Sequence, residues 1–119
     1  MNYQFRVLQL KSGKSRLLID FEDGEYELLS TFLESDVIPF ENWIKEKFHN
    51  VIAKKITFEE LNGNVCHVKI TSEYTEISDN LAKDGIGKSC IIETKQLVDL
   101  IDIWCEKNKE FQKTIQKFD

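Results

Sequence analysis

KITFEELNGNVCHVKIT, residues 55–71, reads as two strands joined at Asn62-Gly63. Both central residues of a type I′ turn need positive φ. Asn tolerates that conformation and Gly adopts it without steric cost, so Asn-Gly is the strongest short hairpin signal. Apolar residues alternate on either side: Ile56 and Phe58 before the dipeptide, Cys66, Val68 and Ile70 after it. A period of two sends each set to one face of a strand. The predicted hairpin therefore offers an apolar face for helices to cover.

Helices of the right kind flank it. Upstream, residues 39–52 carry Phe40, Trp43, Ile44, Phe48, Val51 and Ile52 at helical spacing. Pro39 suits a first helical position, and Ser35-Asp36 offers capping or turn side chains. Downstream, residues 72–74 make a second tight connection and residues 75–79 a further strand. The stretch NLAKDGIGK, residues 80–88, is a polar loop, and residues 90–93 form a short last strand. Thr94 is placed to cap a final helix whose buried face is Leu97, Leu100, Ile101, Trp104 and Cys105. Phe111, Ile115 and Phe118 continue that stripe, unless Asn108 marks a break.

At the N-terminus, residues 2–10 and 16–21 read as two strands around the turn Lys11-Ser12-Gly13-Lys14. Between them and the first helix, residues 25–38 fit either a short helix, through Leu28, Leu29, Phe32 and Leu33, or an extended strand. The order is two strands, this segment, a helix, four strands and a helix. Hairpin-linked strands with covering helices describe an α+β fold: one domain over residues 1–119, with an antiparallel β-sheet of about five to six strands packed with two main α-helices. The βαβ regularity of a nucleotide-binding fold is missing from this order.

Composition narrows the function classes. The net charge is −5, from 21 acidic and 16 basic residues. Phosphate binding needs clustered Lys and Arg, so the balance argues against nucleic acid and anionic membrane and permits a basic protein partner. No apolar run approaches a membrane span, and MNYQFRVLQL lacks the basic, apolar and cleavage regions of a signal peptide. The expected location is the cytoplasm. Cys66, Cys90 and Cys105 are odd in number and form no CxxC pair, which predicts free, buried thiols in a reducing compartment.

The chemical candidates are thin. Gly85-Ile86-Gly87-Lys88-Ser89 ends like a phosphate-binding loop, but Ala82 stands where the pattern needs its first Gly, and a strand follows instead of a helix. His49 and His67 are the only histidines. Cys66 and His67 are adjacent, and neighbours on a strand point to opposite faces, so they do not converge on one metal ion. Cys90 or Cys105 with His67 shows no nucleophile signature. The close carboxylates Glu22-Asp23, Glu59-Glu60 and Glu34 with Asp36 sit at turns or on polar faces. The expectation is no catalytic residue, no metal and no cofactor.

What remains is acidic surface. Asp20, Glu22, Asp23, Glu25, Glu34 and Asp36 cluster around the second strand and the segment after it, and Glu73, Glu76 and Asp79 line the later hairpin. Such a face can steer and hold a basic partner.

ESDVIPFENWI at 34–44, LNGNVCHVKI at 61–70 and IIETKQLVDLIDIWCEK at 91–107, taken together, resemble the small immunity proteins of bacterial contact-dependent growth inhibition and related polymorphic toxin systems. The resemblance implies a cytoplasmic protein that binds and neutralises a cognate toxin domain, often a nuclease, by stoichiometric interaction and not as an enzyme. It carries over no contact residue. A different protein-binding or adaptor module is the alternative reading, followed by a small enzyme whose site forms no sequence motif.

Overall fold

A computed structural model describes residues 1–80 and 89–116 of the chain. Strands β1 (Tyr3–Gln9) and β2 (Ser15–Phe21) form the first antiparallel hairpin. Gly13 closes it at a φ of +87°, with its N–H donating to the Leu10 carbonyl at 2.9 Å. Residues 24–37 are helical throughout, which resolves the segment left open by its sequence. A 3₁₀ turn, Gly24–Tyr26, leads into α1 (Glu27–Phe32), and a π-turn, Leu33–Val37, follows. Leu28, Leu29, Phe32 and Leu33 all enter the core.

Helix α2 (Glu41–Ile52) buries Ile44, Phe48 and Val51 only. The expected aromatic stripe divides here. Phe40, Trp43 and Ile52 face outward, Trp43 at 40% exposure, because α2 packs a narrow i, i+4, i+7 line against the sheet. Phe40 and Trp43 meet edge to face at 5.9 Å, and the Lys47 ammonium lies 5.9 Å from the Trp43 ring.

Strands β3 (Phe58–Asn62), β4 (Cys66–Thr71), β5 (Tyr74–Asp79) and β6 (Ser89–Glu93) form a four-stranded antiparallel meander in sequence order. The described residues thus build two sheets, of two and four strands, in place of one sheet of five to six. The physical reason lies at β2. The Ile19 N–H donates to Glu34 Oε2 at 3.0 Å, and the Arg16 guanidinium donates to the Glu34 carbonyl at 3.1 Å, so helical residues take the position a further strand would need.

Helix α3 (Thr94–Gln116) runs unbroken through Asn108. Phe118 lies outside the described residues. Thr94 does not spend its hydroxyl on its own helix. It donates to the Thr71 carbonyl at 2.7 Å and lies 2.8 Å from the Thr75 hydroxyl, pinning the start of α3 to β4 and β5. Trp104 is the centre of the core. Its indole N–H donates to the Leu33 carbonyl at 2.8 Å, and its ring stacks on Phe5 at 6.2 Å. A buried indole needs such a partner for its N–H.

The corner between β3 and β4 differs from the expected Asn62-Gly63 turn. Neither residue has positive φ. Asn62 pairs with His67, the Gly63 N–H donates to the Cys66 carbonyl at 2.8 Å, and the chain reverses at Asn64-Val65. Asp36, in the π-turn, supplies what the turn lacks. Its carboxylate accepts the N–H groups of Asn64, Val65 and Cys66 at 2.8, 3.1 and 2.9 Å. Gly63 is needed for room, since a Cβ there would stand 2.5 Å from the Asp36 carboxyl. In the resulting register Leu61 opposes Val68 and faces inward, whereas Ile56 and Phe58 are exposed.

Candidate partner-binding surface

Strand alternation gives the β3–β6 sheet two faces of different character. Leu61, Cys66, Val68, Ile70, Thr75, Ile77, Cys90 and Ile92 point into the core beneath the helices. The outer face carries Phe58, Glu60, Lys69, Tyr74, Glu76, Ile91 and Glu93, all exposed. Phe58, Tyr74 and Ile91 are 47%, 57% and 55% exposed. Tyr74 opposes Glu93, and Ile91 opposes Glu76, which makes Tyr74 and Ile91 diagonal neighbours. Lys69 stands between Glu60 and Glu76 on its two flanking strands. The His67 ring is held between Asn62 Oδ1 and Glu60 Oε1. A shallow concavity of about 240 Å³ beside Tyr74 is lined by Ser72, Glu73, Glu93 and Lys95.

The acidic residues singled out by sequence do not form one face. Glu22, Asp23 and Glu25 are exposed around the end of β2. Asp20 is bound to Arg6 through two contacts, at 2.7 and 3.3 Å, which hold its carboxyl below the usual range. Asp23 also caps the 3₁₀ turn by accepting the Glu25 N–H at 2.9 Å. Glu73 and Glu76 belong to the outer side of the other sheet, while Asp79 points to its inner side at the end of β5. Two residues are removed from any exposed face. Asp36 is fully buried and committed to the β3–β4 corner, and Glu34 is half-buried against β2. Burial pushes the Glu34 carboxyl above its ordinary value, partly opposed by the Ile19 N–H and by Arg16.

Sequence reasoning missed Phe58, Tyr74 and Ile91 as exposed side chains. The run Cys90-Ile91-Ile92 is apolar at every position, so only the register with β5 shows which member faces out.

Of the chemistry-bearing groups, the three thiols are packed inside. Cys66, Cys90 and Cys105 are free and buried, and burial pushes their thiols up to about 12, 11 and 12. His49 lies exposed on α2, beside a groove of about 270 Å³ between α2 and α3 lined by Phe48, Ile52, Val98 and Ile101. Ser89 opens β6, as expected of the strand after the glycine-containing loop, and residues 85–88 lie outside the described residues. Among the described residues no helix is long and apolar enough to cross a membrane.

No protein-family model and no solved structure matches the chain. A curated protein of Bacillus cereus, named an immunity protein, is 42% identical over 113 residues, which cover 95% of this chain and 94% of the relative. With identity at that level over nearly the whole of both chains, the chain belongs to the same immunity protein family.

Proposed function

We propose that this protein protects its cell by binding a cognate toxin domain in a stoichiometric complex, without catalysing a reaction. The full-length similarity to a protein named as an immunity protein carries this reading. The structure is compatible with it, because the three thiols are packed away from solvent while large apolar side chains and carboxylates stand exposed for a partner to meet. The toxin is basic, a nuclease of a contact-dependent inhibition or related polymorphic toxin system, and the complex forms in the cytoplasm. A nuclease must present cationic groups to phosphate, and a chain of net charge −5 complements such a surface. Glu22, Asp23 and Glu25 at the end of β2, with Glu73 and Glu76 on the other sheet, supply the steering charge.

The test pairs the protein with the toxin domain encoded beside it. Co-expression should restore growth to cells producing that domain, and the purified pair should form a one-to-one complex. Continued killing despite abundant folded protein refutes the reading. Glu22→Lys with Glu25→Lys should slow association at low salt and have little effect at high salt, since exposed charges act through a screened field. Asp23 is left intact in that variant because of its cap.

A further inference from the structure

We infer that the outer face of the β3–β6 sheet, centred on Tyr74 and Ile91, is the surface that receives the basic toxin domain. The inference rests on the immunity reading above and adds where the partner sits. An antiparallel sheet with one face in water normally alternates apolar-in with polar-out. Here the outward positions include Phe58, Tyr74 and Ile91, each about half exposed or more, and among the described residues nothing covers them. Interfaces concentrate binding energy in aromatic and large apolar side chains ringed by polar ones, and Tyr is among the most enriched. The ring here is acidic. Glu60, Glu76 and Glu93 share the face and Glu73 borders it, against Lys69 within it, Lys95 at its edge and the His67 ring bound to Glu60. Such a balance selects a cationic partner.

The other exposed aromatic patch lacks that character. Phe40 and Trp43 pack on each other, Lys47 lies over Trp43, and the neighbouring cations and carboxylates neutralise one another. Lys47 is 3.4 Å from Glu59, and Lys45 is 3.3 Å from Glu41. A partner there would find its aromatic anchors already engaged with each other and with Lys47, and Glu41 and Glu59 already paired with lysines.

The experiment measures affinity by titration calorimetry between the full-length protein and a catalytically silenced form of the toxin domain encoded beside it. Tyr74→Ala and Ile91→Ala are compared with Trp43→Ala, each checked for fold by circular dichroism. The side chains of Tyr74 and Ile91 are exposed, so their truncation leaves the core intact. Tyr74→Ala should weaken binding ~30-fold or more, the scale of a central interface anchor. Trp43→Ala should change it by less than ~3-fold, as expected outside an interface hot spot. Glu76→Lys with Glu93→Lys should slow association in stopped-flow mixing of the same pair, more at low salt than at high. Wild-type binding that is unchanged by Tyr74→Ala and Ile91→Ala overturns the assignment of this face and leaves the immunity reading standing. Failure of the wild-type protein to bind overturns both.

Discussion

Asp36 is the residue whose loss should be felt most widely. Its fully buried carboxylate satisfies three consecutive backbone N–H groups at the β3–β4 corner. The Cys66 N–H is fully buried, and those of Asn64 and Val65 are part-buried. Stranding a buried donor costs about 1–3 kcal/mol, and water can partly rescue the two nearer the surface, so Asp36→Ala should cost about 3–5 kcal/mol in all. That is a large share of a stability of roughly 6–18 kcal/mol for a chain of this size, and corresponds to a fall of about 10–20 °C in Tm. Asp36→Asn should recover little, because its amide would set N–H against N–H at Cys66. Gly63→Ala should be costly for a related reason. Its Cβ would stand 2.5 Å from Cγ and Oδ2 of a carboxylate that three hydrogen bonds hold in place. The two changes must therefore be coupled. With the carboxyl gone the obstruction is gone, so urea unfolding of the double variant should show a loss at least ~1 kcal/mol smaller than the sum of the singles. Strict additivity, or an Asp36→Ala loss under ~1 kcal/mol, refutes the account of the corner.

The native thiols should resist a disulfide reagent at pH 8, since burial holds Cys66, Cys90 and Cys105 in the protonated form with values up to about 12, 11 and 12. All should react once urea unfolds the chain, and fast labelling of folded protein would contradict the packing. Trp104→Phe keeps the ring stack with Phe5 but leaves the Leu33 carbonyl without its donor, a loss of about 1–3 kcal/mol by chemical denaturation. Glu34 has a raised folded-state value, caused first by burial, so the folded state holds its proton to higher pH than the unfolded chain does. Its contribution to stability therefore improves as pH falls through that raised value and is unfavourable above it. Glu34→Gln keeps an acceptor for the Ile19 N–H, and at pH 7 it should match or exceed the wild type. That difference should vanish at acid pH, as read from paired melting curves.

How much of this was legible in the sequence depended on whether the deciding contact was local. Strands β1 and β2, the order of all later elements and the buried face of α3 follow from periodicity, which neighbouring residues set among themselves. The β3–β4 corner did not, because its geometry is fixed by Asp36, 28–30 residues away, and an Asn-Gly pair reads the same whether its glycine supplies positive φ or simply room. The split of α2 into Ile44, Phe48 and Val51 inside and Trp43 outside was hidden for the same reason, since periodicity gives a stripe but not its width. The acidic residues were visible as a cluster in sequence. Which of them meet solvent was decided by tertiary hydrogen bonds to Glu34 and Asp36 that no spacing announces.

The alternation of β3–β6 also bears on how such a protein can diversify. Each strand carries two interleaved texts, one read by the core and one by the surroundings. Residues 66, 68, 70, 77 and 92 belong to the first, and residues 58, 74, 76, 91 and 93 to the second. Exposed substitutions away from caps and networks usually shift stability by no more than ~0.5 kcal/mol. A lineage can therefore rewrite the outward text one residue at a time while the inward text keeps every intermediate folded, and if that face receives the toxin as inferred above, each rewriting exchanges one adversary for another.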